Sequence, residues 1–260
     1  MTICPICRAA AVPAFQAQVL RKYAAEYLRC PHCGYLWAAA PYWLEEAYCD
    51  AIVAADTGIA QRNYAIARKL ANLLYFCLDS RATYVDAAGG YGLLVRLMRD
   101  FGFDFYWQDK YCQNLMARGF EYASEHGPVA AVTAIEVLEH TPDPVGFIRA
   151  TLERFATRTL IFTTMLYAGD MAPPRDWWYY AFATGQHVSF FQARTLEHIA
   201  ATLGLRFVSW RGMHILTDRP LRHAALAPLL LSRLGLPLAQ YVEVRLGSKT
   251  MADHHERMRG

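Results

Sequence analysis

Apolar and polar residues follow two periods along this chain, and the change from one period to the other marks its elements. Gln61 to Leu78 carries apolar residues at positions 66, 70, 73, 74 and 77, the stripe of an amphipathic helix, and Ser80 and Arg81 break it. Short apolar runs then alternate with helical patterns. Thr83–Ala87, Phe103–Gln108, Val129–Ile135 and Thr159–Thr164 read as strands. Leu93–Arg99 and Val145–Phe155 read as helices, with a short helix or turn near Gln113–Arg118. A helix over Ala193–Leu203 and two closing strands, Leu205–Arg211 and Met213–Thr217, complete the series. This alternation predicts an α/β fold with a Rossmann-like, doubly wound sheet. No internal repeat and no low-complexity stretch interrupts it.

The end of the first of these strands is the most informative segment. In Tyr84-Val85-Asp86-Ala87-Ala88-Gly89-Gly90-Tyr91-Gly92 an apolar run closes on an acid, small residues follow, and a helix begins at Leu93. A strand, tight glycine turn and helix bring bare backbone against a ligand at the carboxyl end of a parallel strand. The next strand ends at Asp109, where a carboxylate is placed to accept from both hydroxyls of a ribose. Asp86, just before the turn, would repel a pyrophosphate and suits a ligand carrying an ammonium group. That favours S-adenosylmethionine over a dinucleotide. The plainer reading makes Asp86 a helix cap and Gly89-Gly90 an ordinary turn.

With these residues the chain resembles the class I S-adenosylmethionine-dependent methyltransferases over roughly residues 60–218. The family's first motif maps onto Asp86, Ala88, Gly90 and Gly92, with Ala88 where the first glycine usually stands, and its ribose acid maps onto Asp109. Ala134-Ile135-Glu136-Val137-Leu138-Glu139-His140-Thr141-Pro142-Asp143-Pro144 resembles the fourth-strand motif of the branch acting on small molecules, sugars and lipids. The resemblance implies that Glu136 and Val137 lie near the cofactor. Ala130-Ala131 stand where an acid often begins that strand, and Gly119-Phe120-Glu121 occupy a shortened third-strand region. Methyl transfer is an in-line displacement that needs positioning, and a hydroxyl acceptor also needs a base. His187 in Thr184-Gly185-Gln186-His187-Val188-Ser189-Phe190-Phe191 is the candidate base, and Gln186 the candidate to orient the hydroxyl. Alternatively His187 caps the helix at Ala193 or packs structurally. Glu139-His140 is expected to form a capped loop with a satisfied imidazole, the alternative being a direct part in catalysis. The aromatic run Asp176-Trp177-Trp178-Tyr179-Tyr180 either closes over the site or packs against the amino-terminal module.

That module is announced by Cys4-Pro5-Ile6-Cys7 and Cys30-Pro31-His32-Cys33-Gly34. Two such knuckles supply four thiolates to one tetrahedral ion, so Cys4, Cys7, Cys30 and Cys33 predict a structural zinc ribbon. The alternative is a reduced dithiol pair. His32 is expected to face solvent, and Cys49, Cys77 and Cys112 to be buried filler. The expected organisation is a ribbon over 1–40, a linker over 41–60, the cofactor domain over 61–220 and an appendage over 221–260.

Composition narrows the reading further. With 55% apolar and 19% charged residues the chain can bury a core, and its net charge of +3 neither demands nor excludes RNA. The ribbon carries Arg8, Arg21, Lys22, Arg29 and His32 against Glu26, which keeps an RNA methyltransferase, with the ribbon holding RNA, as the alternative function. The favoured function is O-methylation of a small-molecule, sugar or glycan acceptor. A non-catalytic cofactor-binding interaction protein is the third reading. No basic start followed by an apolar run is seen, and the apolar stretch Ala224–Leu238 is broken by Pro228, Arg233 and Pro237, so a cytoplasmic protein without a membrane span is expected. Leu226–Leu238 is expected to pack on the domain or on a second copy in a homodimer. Asp253-His254-His255-Glu256 is expected to lie in a solvated terminus, the alternative being a metal-binding cluster.

Overall fold

The computed structural model describes residues 2–48 and 56–259. Cys49 and part of the 41–60 linker lie outside the described residues. The chain opens with strands β1 (Val12–Val19), β2 (Tyr23–Arg29) and β3 (Leu36–Ala38), then helices α1 (Leu44–Ala47) and α2 (Ile59–Cys77). There follow β4 (Thr83–Asp86), α3 (Leu93–Asp100), β5 (Asp104–Trp107), β6 (Val129–Ile135), α4 (Pro144–Arg154) and β7 (Thr159–Thr163). The second half contains β8 (Ser189–Phe190), α5 (Ala193–Thr202), β9 (Arg206–Trp210), β10 (Met213–Thr217), α6 (Ala227–Leu230), α7 (Leu236–Leu246) and α8 (Thr250–Arg259).

The large sheet has six strands in the order β5-β4-β6-β7-β10-β9. The first four are parallel, and β10 runs antiparallel to both β7 and β9. Chain order reverses between β4 and β6, so the carboxyl ends of these strands open a crevice at a topological switch point. β7 and β10 are buried throughout, as strands covered on both faces must be. On one face Leu70 and Leu74 of α2 and Leu94, Val95 and Met98 of α3 pack against Tyr84 and Phe105. On the other, Ile148 and Leu152 of α4 and Leu196 and Ile199 of α5 pack with Val85, Val132 and Phe162. The expected elements are therefore present with ends shifted by a residue or two. Residues 113–118 form turns without a helix, in which the Asn114 side chain accepts from Ala117 N at 2.9 Å. The shortened third-strand region is reduced to a parallel bridge between Glu121 and Trp107.

The small sheet has the order β1-β2-β3-β8, so its fourth strand comes from far along the chain. Leu36 pairs with Phe190 and Trp37 with Ser189. Side chains reinforce the join: Tyr35 Oη and Ser189 Oγ are 2.8 Å apart, Thr195 Oγ1 donates to Cys33 O at 2.8 Å, and Tyr167 Oη donates to Gly34 O. The aromatic run lies against this sheet. Tyr179 and Tyr180 are buried with Tyr27 and Phe190, while Trp178 stays 70% exposed.

Two expectations need correction. Cys112 is half-buried rather than buried filler, whereas Cys77 is buried. The carboxyl terminus is not a solvated tail: it forms α8, and Asp253 is only 4% exposed. The cause is Arg99 of α3, a buried guanidinium that needs a counter-ion and receives the Asp253 carboxylate in a two-pronged pair at 2.8 and 2.7 Å. His254 and His255 remain exposed. α6 and α7 pack on α2, where Asn72 Nδ2 donates to Leu230 O and Gly235 O, each at 2.9 Å. Among the described residues no single helix is long and apolar enough to cross a membrane.

Candidate active site

The glycine turn is built by backbone constraints. Ala87 N continues the β6 ladder to Thr133 O at 2.9 Å, and Gly92 N closes the turn on Gly89 O at 2.8 Å. Gly90 and Gly92 have φ of 53° and 86°, a region that favours glycine. A Cβ at Gly92 would stand 2.5 Å from Asn114 Oδ1, whereas at Gly90 nothing lies within 4 Å. Gly90 therefore presents bare backbone to open space, and α3 begins without a side-chain cap, its first N–H groups facing the crevice. Ala88 sits half-buried within this turn, where a methyl group is tolerated.

Asp109, at the end of β5, braces the turn. Its Oδ2 accepts from Gly90 N at 2.9 Å, and its Oδ1 accepts from Tyr111 N and Cys112 N at 2.7 and 2.9 Å. Trp107 Nε1 donates to Gly90 O at 2.8 Å from the same strand. Asp86 is buried at the end of β4. Its Oδ1 accepts from Thr133 Oγ1 at 2.7 Å, and its Oδ2 lies 3.4 Å from where a Gly89 Cβ would stand. Burial pushes its carboxyl up to about 7, with the Asp109 charge adding to the effect and the Thr133 hydrogen bond opposing it. A buried acid facing the turn, without a basic partner among the described residues, fits a cationic ligand, as the ammonium of S-adenosylmethionine would be. Glu136, at the end of β6, has φ of 54°, and its carboxylate accepts from Thr163 Oγ1. Val137 follows it half-buried. Asp86, Gly90, Asp109 and Glu136 thus gather at the carboxyl edge of adjacent strands.

Beyond Val137 the chain makes a 3₁₀ turn, Leu138–His140, against the loop that leads into β8. Glu139, His140 and His187 come together there, with one ligand-type atom of each within 4.8 Å of the others. His187 Nδ1 is 2.6 Å from Tyr179 O. A carbonyl only accepts, so Nδ1 carries the proton and Nε2 the lone pair of the neutral ring. Burial lowers the His187 pKa. It lowers that of His140 to about 3, with His187 contributing. Glu139 Oε1 accepts from Tyr179 Oη at 2.6 Å, and burial, followed by the Glu136 charge, pushes its carboxyl up to about 8. Glu139 Oε2, His140 Nδ1 and Tyr48 Oη are buried without a partner among the described residues. The His140 imidazole is therefore satisfied on one nitrogen only, the one bonded to the Gln186 backbone. Val188 N donates to the Glu139 carbonyl at 2.8 Å and Tyr179 Oη to one carboxylate oxygen. Gln186 is buried, and its Nε2 donates to Ala47 O at 2.9 Å, fixing α1 beside the site together with Trp43 Nε1, which donates to Gly185 O at 2.8 Å. Tyr179 was visible in the sequence only as a member of the aromatic run, and Tyr48 carried no signal there.

In the amino-terminal module the four sulfurs of Cys4, Cys7, Cys30 and Cys33 lie within 4.8 Å of one another. Cys4–Cys33 and Cys7–Cys30 are 3.6 and 3.4 Å apart. A tetrahedral ion with bonds of about 2.3 Å sets its sulfurs roughly 3.8 Å apart, so this donor set fits zinc with little movement. Cys33 N also points to Cys30 Sγ at 3.5 Å, the amide-to-sulfur contact of a metal knuckle. His32 is exposed and meets His198, with ring centroids 4.9 Å apart.

The doubly wound sheet, the glycine turn and the acids at its carboxyl edge define an S-adenosylmethionine-dependent methyltransferase domain of class I. Residues 59–209 match the family described as a methyltransferase domain, and since that is more than half of the chain, the protein belongs to this family. Among solved structures it is similar to TnmH, with 19% identity over 68% of this chain and 60% of that one and a TM-score of 0.47. It is also similar to CalO1, a methyltransferase in calicheamicin biosynthesis, with 17% identity over 67% and 58% of the chains and a TM-score of 0.44. The mitomycin 7-O-methyltransferase MmcR shows 15% identity over 67% and 59%, with a TM-score of 0.43. The chain spans about three-fifths of the length of these proteins. No curated protein matches it.

Proposed function

We propose that the protein methylates a hydroxyl oxygen of a small-molecule, sugar or glycan acceptor, and that the Cys4 cluster holds a structural zinc ion. S-adenosylmethionine, when bound, supplies the methyl group for in-line displacement. Asp86 holds the cofactor's ammonium end, the Gly90 backbone lets it approach, and Asp109 and Glu136 close the crevice around its ribose. His187 takes the acceptor's proton on Nε2. Gln186 acts as a positioning residue through Ala47, keeping α1 against the acceptor mouth.

The observation carrying this reading is the fixed tautomer of His187: Nδ1–H is tied to Tyr179 O, which leaves Nε2 unprotonated as a base requires. The RNA reading loses support from the ribbon, because Arg29 is buried and Lys22 pairs with Glu46 at 2.6 Å. Transfer of labelled methyl to a panel of hydroxylated acceptors tests the proposal. His187→Ala should lower turnover about 10²–10⁴-fold while binding of S-adenosylhomocysteine stays unchanged. Unchanged turnover in that variant would remove His187 from the mechanism.

A further inference from the structure

We propose that Glu139, His140 and His187 form a second metal site, one that holds a divalent transition-metal ion at the acceptor mouth, apart from the Cys4 cluster. The three ligand-type atoms already lie within 4.8 Å of one another. Bonds of 2.0–2.1 Å in a tetrahedral site require about 3.3 Å between ligands, a contraction that side-chain rotation supplies. Glu139 is fully buried, and its Oε2 has no hydrogen-bond partner. It also has no ion-pair partner among the described residues. His140 Nδ1 is buried in the same state. Buried polar atoms left without partners are costly, and a cation would satisfy both at once.

The surroundings of the three side chains support this. Metal-bound imidazoles commonly donate their other N–H to a carbonyl, and metal-bound carboxylates are themselves hydrogen-bonded. His187 Nδ1 faces Tyr179 O at 2.6 Å, and Glu139 Oε1 accepts from Tyr179 Oη at 2.6 Å. His140 is hydrogen-bonded to the Gln186 backbone. Each residue is thus oriented by one atom and leaves the other for an ion. Two imidazoles and one carboxylate suit zinc, cobalt or nickel better than calcium or magnesium. Three protein ligands leave a fourth position open, as in catalytic rather than structural sites.

The consequence rests on the O-methylation reading. A hydroxyl bound at the open position ionises near neutral pH: the O–H bond breaks, the electron pair stays on the oxygen bound to the ion, and the proton leaves to solvent. His187 is then a ligand, and it serves as the base only in protein lacking the ion.

The test reads binding without turnover. Full-length protein stripped of metal is titrated with Co²⁺ alone, and bound cobalt is measured by elemental analysis. Two equivalents are expected. The first should give intense thiolate charge-transfer absorption, and the second only weak ligand-field bands. His140→Ala and His187→Ala should each lose the second equivalent and keep the first. Glu139→Gln should do the same; if that buried variant does not fold, the two histidine variants decide. A single equivalent in the wild-type protein, or a second one that survives both histidine substitutions, overturns the proposal. Because no acceptor is involved, a wrong acceptor assignment leaves this result intact.

Discussion

Asp86 combines two opposed demands. It is buried, which favours the neutral acid, and it faces the place of a cation, which favours the carboxylate. With its carboxyl at about 7 in the free protein, cofactor affinity should fall as pH drops through 7, approaching tenfold per pH unit below it, and level off above. Calorimetric titration with S-adenosylhomocysteine between pH 5.5 and 8.5 measures this. Asp86→Asn should bind weakly with a flat profile, and a steep profile in that variant would contradict the assignment. The sign for folding is the reverse. A raised carboxyl pKa means the unfolded chain releases this proton first, so Asp86 lowers the stability of the free protein as pH climbs from about 4 to 7. The residues of the glycine turn were legible in the sequence because their constraint is local: Gly90 and Gly92 need positive φ within one turn, and Asp86 ends the strand before it. Glu139, His140 and His187 were legible singly but not as a cluster. They meet through two loops whose approach is set by Tyr179, and no sequence period encodes that meeting.

Among the elements, α8 shows what periodicity misses. It has no broad apolar stripe, so the sequence read as a solvated end, and the helix is held instead through Asp253, which pairs with the buried Arg99 and also meets Arg96 at 2.9 Å. Arg99 also lies over the Phe120 ring at 3.8 Å and donates to Phe105 O at 3.3 Å, which keeps the guanidinium inside. Asp253→Ala leaves that charge buried without a counter-ion and should cost about 3–5 kcal/mol, read as a lower Tm and an earlier denaturation midpoint. Replacing the buried pair, Arg99→Met with Asp253→Ala, should recover much of the loss, since Arg96 keeps Asp100 at 2.8 Å as its counter-ion. If the double variant is as unstable as the single one, the helix is held by something other than this pair. The long helices and central strands were legible throughout, because burial on two faces leaves unbroken apolar runs and amphipathic helices repeat their stripe.

At the scale of the whole molecule, the module carrying the Cys4 cluster shares its sheet with the segment that carries His187. The cysteine spacing made the cluster legible. The two-residue strand Ser189–Phe190 was not, since so short a run has no period to read. One consequence can be measured. Cys4→Ser with Cys7→Ser removes the proposed zinc and keeps Glu139, His140 and His187. This variant should disorder the β3–β8 join and lower methyl transfer sharply, while S-adenosylhomocysteine binding persists, because the glycine turn and its acids are carried by the six-stranded sheet. Equal loss of both activities would mean that the two sheets depend on each other throughout.

The join also sets a timetable for biosynthesis. Domains usually complete themselves in the order in which they leave the ribosome. Here the strands made first wait for a partner that emerges about 150 residues after β3. Until then Leu36 and Trp37 present an open edge to other nascent chains. During that interval the knuckles with the proposed zinc, rather than the finished sheet, would hold the amino terminus compact. A shortage of zinc at synthesis should therefore reduce the yield of soluble protein more than stripping the ion from the finished fold.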